Sequence, residues 1–226
     1  MPRQPRLLLS KSFYHIMTRG NNRNVVFKTD NDYFYYLKLL QRFKSELDFD
    51  LYHYCLMPNH VHMLIQTKKS KDFSLFMKKI NLAYFHHFRR KYGWIGHFWQ
   101  DRFKSQPVGK DEYFIQCGKY IELNPVRKGL VKKPENWHFS SYNFYTNTNN
   151  TNTNNTKDSL LTKDFLYPEL EETDDARRKQ YQKIIIDEIV KADNKRNVWG
   201  SPEERYNEKD KEIKYFKRHK NNVSLR

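Results

Sequence analysis

Cysteine is scarce in this chain of 226 residues: Cys55 and Cys117 stand alone, in apolar surroundings and without metal-ligand spacing. That excludes a disulfide scaffold and a cysteine-built zinc site, and leaves two buried thiols as the expectation. Long apolar runs are missing as well. None approaches the roughly 20 residues that a membrane-spanning helix needs. The opening MPRQPRLLLSKS has neither the apolar core nor the cleavage site of a signal peptide. A cytoplasmic protein with no membrane partner is expected. No internal repeat is visible, so an array of repeats is excluded too.

Acidic side chains are the third shortage. Against 42 Lys and Arg there are 26 Asp and Glu, a formal charge of +16 with an isoelectric point near 9.7. Such a field favours a polyanionic partner. The excess is uneven: residues 1–145 carry 25 basic and 11 acidic side chains, whereas 146–226 carry 17 and 15. The first part is therefore the one expected to meet nucleic acid, with 16 Tyr and 16 Phe in the chain available to stack on bases.

Between the two parts lies TNTNNTNTNNT, residues 146–156, built from Thr and Asn alone. It has nothing apolar to bury against the entropy of ordering, so it reads as a flexible linker between a domain at 1–145 and an extension at 157–226. In the extension, ETDDARRKQYQKIIIDEIVKAD offers Thr173 as N-cap, Asp174 and Asp175 in the first turn, and a stripe through Tyr181, Ile184, Ile185 and Ile189. That pattern predicts an amphipathic helix. The last residues, KDKEIKYFKRHKNNVSLR, are basic and expected to fray.

Within 1–145 the periodicity alternates. SFYHIMTRG predicts a strand ending in a turn. From Asp30 a helix follows, with Phe34, Leu37, Leu40 and Leu47 at helical spacing. DLYHYCLM and HVHMLIQT predict two strands parted by Pro58 and Asn59. A second helix carries Phe73, Phe76, Met77, Ile80, Tyr84 and Phe88 on one face and stops at Gly93. FKSQPV predicts a fourth strand, and KDEYFIQCGKYIELNPV a helix halted by Pro125. The order β-α-β-β-α-β predicts an α+β, ferredoxin-like antiparallel sheet with helices on one face, plus an added helix and the helical extension.

Two histidines stand out inside CLMPNHVHMLIQT. On a strand, His60 and His62 point the same way while Val61, Met63 and Ile65 face the other. They can converge on one metal ion, but an isolated His-x-His is more often packing on a sheet face, and a pair needs a third ligand. In KYIELNP, Tyr120 and Asn124 are four apart and share a helix face. An amide oxygen is a suitable hard ligand for Mg²⁺ or Mn²⁺, and a neighbouring phenol can attack a phosphate held there. With so many tyrosines, composition does not separate Tyr120 from Tyr113 or Tyr84.

Four blocks settle the choice by resemblance. YHIMTRGNNRNVVF, YCLMPNHVHMLI, HFWQDRFKSQPV and YIELNPVRKGLV, in that order, resemble the REP-associated tyrosine transposases, relatives of the single-tyrosine insertion-sequence transposases in the HUH endonuclease superfamily. The likeness covers about residues 10–145. It implies a ferredoxin-like core, a metal site of His60, His62 and Asn124 for Mg²⁺ or Mn²⁺, and Tyr120 as nucleophile. The implied reaction makes a 5′-phosphotyrosine link and a free 3′-hydroxyl on single-stranded DNA that folds into a palindromic hairpin. The family acts as monomer or homodimer.

DNA contacts are then expected around the site. Arg19, Asn21, Asn22, Arg23 and Asn24 fill the turn after the first strand, with groups that reach phosphates and base edges. Arg102, Lys104, Arg127 and Lys128, and more weakly Lys78, Lys79, Arg89 and Arg90, can add phosphate contacts, although charge runs are usually solvated faces. His86 and His87 read as structural or DNA-facing. Trp94, Trp99 and Trp137 read as packing anchors, with Trp99 a support of the site. Two rivals remain: a non-catalytic nucleic-acid-binding module on the same scaffold, and a metal-dependent nuclease or a replication or mobilisation initiator of the same superfamily, of which the mobilisation type would commonly carry a third histidine in place of Asn124.

Overall fold

The computed structural model describes residues 12–109, 112–146 and 160–194. The chain divides into two compact units, Met1–Lys183 and Ile184–Arg226. The first unit holds β1 (Phe13–Arg19), α1 (Asp30–Leu47), β2 (Phe49–Met57), β3 (His60–Thr67), α2 (Ser70–Tyr92), β4 (Lys104–Val108), α3 (Glu112–Arg127) and α4 (Tyr142–Thr146). It also holds the start of α5 (Asp174–Asn194), whose later turns fall in the second unit. Most of the expected Asn/Thr linker, the side chain of Ile189 and the basic end lie outside the described residues.

The strands form one antiparallel sheet in the order β2-β3-β1-β4, the split βαβ arrangement that the element order predicts. Register then fixes the faces. His62 stands opposite Met17 and Cys55, His60 opposite Arg19 and Met57, and Leu64 opposite His15 and His53. Opposed residues share a face, so His15, His53, His60 and His62 lie on one side of the sheet, and Tyr14, Ile16, Val61, Met63 and Ile65 on the other.

α1 and α2 cover the second face. Phe73 of α2 meets Tyr14 with ring centroids 4.9 Å apart, and Phe76 meets Phe49 at 4.3 Å. All six stripe residues of α2 are buried, and the helix ends with Gly93 at φ +64°, a left-handed cap that glycine adopts without strain. α3 covers the histidine face. Its Phe114 packs edge-on against Phe13 at 4.9 Å and Tyr52 at 5.2 Å. With both faces covered, β2 and β3 are buried almost throughout, which is why they read as continuous apolar runs.

Two expectations are corrected. The buried face of α1 is Tyr33, Tyr36, Leu39, Leu40 and Phe43, whereas Phe34 is 54% exposed and Leu37 and Leu47 are half-buried. Tyrosine takes the place of leucine here: Tyr33 stacks between Phe27 at 4.5 Å and Phe139 at 4.1 Å. Nor does Pro125 halt α3, which runs on to Arg127. Proline has no N–H to give Ile121, and the side-chain amide of Asn124 leans back instead, donating to Tyr120 O at 2.8 Å and to Ile121 O at 3.4 Å.

The extension is not a separate body over its first described residues. Thr162 N–H donates to Leu51 O at 2.7 Å, and Ser141 N–H to Tyr54 O at 2.9 Å, so chain from beyond α3 pairs along the open edge of β2. Thr173 caps α5 as expected, its Oγ1 accepting from Ala176 N–H at 3.3 Å. No disulfide forms: Cys55 is buried and Cys117 half-buried, both as thiols. Among the described residues no helix is long and apolar enough to cross a membrane.

Gly118 of α3 sits where a Cβ would come within 2.8 Å of His53 Nε2 and 2.9 Å of its Cε1. That ring is buried and bonded at both nitrogens, so it has no room to give. Gly118→Ala is therefore expected to destabilise the fold by about 1–3 kcal/mol through overpacking. Helix propensity alone would stabilise it by roughly 0.5–1 kcal/mol. The urea midpoint decides, and an increase would show that His53 can move aside.

Candidate active site

His60 and His62 emerge from β3 into the space under α3, both buried at 3% and 1% exposure. Their ring centroids are 4.9 Å apart. Each ring is engaged through Nδ1. His60 Nδ1 meets Oδ1 of Asn59, whose amide nitrogen donates to Arg23 O at 3.2 Å. An amide oxygen only accepts, so His60 carries its proton on Nδ1 and keeps the lone pair on Nε2. His62 Nδ1 lies 2.9 Å from Nε2 of His15 on β1, and with His62 as the donor of that bond its lone pair is left on Nε2 as well.

Burial pushes all three imidazoles down, His15 to about 4 and His60 and His62 well below the ordinary histidine value. The positive charges of Arg19 and Lys128 add to this at His60 and His62. Neutral imidazole is the form that ligates a metal. The same charges mark the mouth of the site as a place for an anion.

α3 brings Tyr120 over this group. Its ring stands edge-on to His62 and to His15, each at a centroid distance of 5.7 Å, and the guanidinium of Arg127 lies 5.4 Å from its centre. Asn124 follows one turn later, 4% exposed, with its nitrogen spent on the helix carbonyls and its oxygen at the other end of the amide. Lys128 follows just past the end of α3, its N–H donating to Asn124 O at 3.0 Å, and its charge is felt by both His60 and His62. Among the described residues no three His, Cys, Asp or Glu side chains form a ready metal cluster. A cation on the histidine pair needs an oxygen from elsewhere, and the chemistry of the Asn124 amide fits.

The loop after β1 is tied to the same place. Gly20 N–H donates to Asn59 O at 2.8 Å, Asn21 N–H to Phe98 O at 2.7 Å, and Gln100 N–H to Arg19 O at 2.9 Å. Asn21 is half-buried and Asn22, Arg23 and Asn24 are exposed, with Asn22 and Arg23 at φ +50° and +57°. Trp99 bridges to Gly20 and donates from its indole to Asn81 O at 3.0 Å, so the HFWQDRF block braces this loop. Arg19, Arg127, Lys128 and the 21–24 turn thus gather at the site. Lys104 stands opposite Met17, on the histidine side of the sheet, whereas Arg102 is exposed ahead of β4.

Other candidates lie apart. Lys78, Lys79, Arg89 and Arg90 are on α2, across the sheet from the histidines, and Lys79 pairs with Glu46 at 2.8 Å. His87 stacks on Tyr35 at 3.9 Å and reaches the buried Asp32 at 3.3 Å, a structural role, and His86 borders Phe85 on the surface. Trp137 is an anchor, donating to Leu56 O at 3.1 Å. Tyr84 is buried in the core and Tyr113 is 60% exposed at the start of α3. His15 and Asn59 are the site residues that motif spacing misses. Strand alternation puts His15 on an inward face, but only the pairing of β1 with β3 brings it to His62.

Residues 9–124 match the model of the family described as transposase, IS200 like. A Haemophilus influenzae protein named for the REP-associated tyrosine transposases is 29% identical over 103 residues, covering 39% of this chain and 56% of the relative. The REP-associated tyrosine transposase of Escherichia coli is 26% identical over 100 residues, covering 44% and 58%. The chain thus spans just over half the length of these curated relatives. A solved REP-associated tyrosine transposase bound to a REP hairpin superposes with a TM-score of 0.54 at 22% identity, over 64% of this chain and 84% of that one. That likeness is one of fold.

Proposed function

This chain belongs to the IS200-like transposase family, and from that premise we propose that it cleaves and rejoins single-stranded DNA through a covalent link to Tyr120. The observation that carries the reading is Tyr120 of α3 standing edge-on to His62 and His15 of the same chain. That the tyrosine and the histidines come from one copy supports action by a monomer.

A divalent cation, Mg²⁺ or Mn²⁺, held by Nε2 of His60 and His62 and the amide oxygen of Asn124, would polarise the scissile phosphate. The rest falls to the chain. Arg19, Arg127 and Lys128 draw the phosphate in and offset the charge that grows on its oxygens. The Tyr120 oxygen attacks phosphorus, the bond to the 3′ oxygen breaks, and the phenolic proton ends on the released 3′-hydroxyl. The 5′ phosphate stays on Tyr120, and the reverse step on another strand rejoins DNA without an energy source. The 21–24 turn supplies amides and an arginine for bases and phosphates beside the break. The substrate is hairpin-forming palindromic DNA, the kind of ligand held by the structural relative.

The reading is tested by incubating the protein with labelled hairpins of varied flanks and Mn²⁺, then running a denaturing gel. A protease-sensitive adduct that vanishes with EDTA is expected. Binding without nick or adduct across the set would replace this reading with that of a binding module.

His15 and Asn59 act as positioning residues for the two ligands. His15→Ala is expected to weaken Mn²⁺ binding by about 10–100-fold, the usual effect of losing an outer-shell partner. His15→Gln, whose amide can still accept from His62 Nδ1, should retain most of the affinity. Isothermal titration with the metal alone checks this, and wild-type affinity in His15→Ala would remove His15 from the site.

A further inference from the structure

Residues beyond the family match return to the helix that carries Tyr120. Glu122 lies between Tyr120 and Asn124 in sequence but on the other flank of α3, one turn from Gly118, and it is fully buried. Its Oε1 accepts from Ser141 Oγ at 2.6 Å and lies 3.0 Å from His53 Nδ1, and its Oε2 accepts from the Tyr181 hydroxyl at 2.8 Å. His53 Nε2 reaches Asp164 Oδ2 at 3.4 Å. Asp164 is itself fixed: Leu166 N–H donates to its Oδ1 at 2.8 Å, and its own N–H donates to the Tyr145 hydroxyl at 3.2 Å.

These partners come from different elements. His53 belongs to β2, Ser141 precedes α4, and Tyr181 lies on α5, with Asp164 on the segment that pairs with the β2 edge. The rings of Tyr145 and Tyr181, 5.2 Å apart, roof the cluster, and Tyr145 stacks on His53 at 4.8 Å. A leucine at position 122 would fill such a space with no direction of its own. A carboxylate bonded from three sides sets both the rotation of α3 and its slide along the sheet. Gly118 lets the helix backbone close onto the His53 ring.

We propose that residues 160–181 form a clasp on α3, in which Tyr181 and Asp164, acting through Glu122 and His53, position the helix so that Tyr120 meets its phosphate. None of the residues assigned above to metal or DNA lies in the clasp. Its effect on rate rests on Tyr120 being the nucleophile, whereas its effect on the helix does not.

Tyr181→Phe and Asp164→Asn in the full chain each remove one bond or charge with little change of volume. Hydrogen–deuterium exchange should rise about tenfold or more in 112–127 while α1, α2 and β1–β3 stay near wild type. Single-turnover adduct formation at saturating hairpin should slow by about 10–100-fold, the scale of a displaced reacting group, with hairpin affinity unchanged. If one variant fails to fold, the other carries the test. Wild-type exchange in α3, or a rise spread evenly over the sheet, would overturn the clasp, as would wild-type adduct rates in both variants. A wild-type protein that makes no adduct would reject Tyr120 as nucleophile, and the exchange pattern would still decide the clasp.

Discussion

Tyr120→Phe is expected to bind hairpin DNA as the wild type does and to form no covalent adduct. Cleavage should fall by at least roughly 10⁴-fold, the scale seen when an enzyme loses its nucleophile. The ring stays, so its edge-on contacts with His62 and His15 at 5.7 Å persist, and only the attacking oxygen is gone. Tyr113→Phe, at an exposed position at the start of α3, should leave cleavage untouched. A gel shift beside a denaturing gel separates binding from chemistry. Residual adduct in Tyr120→Phe would assign the nucleophile elsewhere.

The second large effect is on stability. Glu122→Ala leaves the buried His53 with Asp164 as its one remaining carboxylate, removes the acceptor of the Tyr181 hydroxyl, and leaves Ser141 Oγ only its bonds to the Tyr54 backbone. A loss of about 3–5 kcal/mol is expected, the usual result of breaking a buried charge pair from one side. Glu122→Gln, which keeps acceptor and shape, should lose less, about 1–3 kcal/mol. The same cluster sets a pH dependence. Burial pulls the His53 imidazole down, but its contacts with Asp164 and Glu122 outweigh that and hold it up at about 9, above its ordinary 6.5. A raised value in the folded state means the bound proton stabilises the fold. That contribution is complete below about pH 6.5 and is lost as pH climbs through about 9. The urea midpoint of the wild type should therefore fall between pH 7 and pH 10 by more than that of His53→Gln. An equal fall in both would mean that His53 is not the group responsible.

How much of this was legible in the sequence depends on what each feature needs. The strand order, the α2 stripe from Phe73 to Phe88 and its stop at Gly93 follow from local periodicity, and the structure has them as expected. The face of α1 is not legible in this way: Phe34 and Leu37 look more apolar than Tyr33 and Tyr36, yet Phe27 and Phe139 make the tyrosine side the one that packs. Pro125 reads as a stop on its own. Only the Asn124 side chain, bonding back to Tyr120 and Ile121, shows how the helix passes through it.

The site divides in the same way. His60, His62, Tyr120 and Asn124 sit in short motifs whose spacing alone places each pair on one face of its element. His15 is 47 residues from His62, and Asp164 is 111 from His53. Such partners meet only through sheet register and the path of the extension, neither of which leaves a local pattern. Glu122 gives no local sign either, since a charged residue on a helix reads by default as a solvated one.

The most direct measurement is mass spectrometry of the adduct. Trypsin cutting after Lys119 and Arg127 frees residues 120–127, YIELNPVR, as one peptide. After reaction with hairpin DNA and Mn²⁺ and nuclease trimming, this peptide should carry a 5′-linked nucleotide on Tyr120, and it should be unmodified when EDTA is present. A nucleotide on any other residue, or DNA cut with no protein-linked product, would contradict the assignment of Tyr120 as the nucleophile.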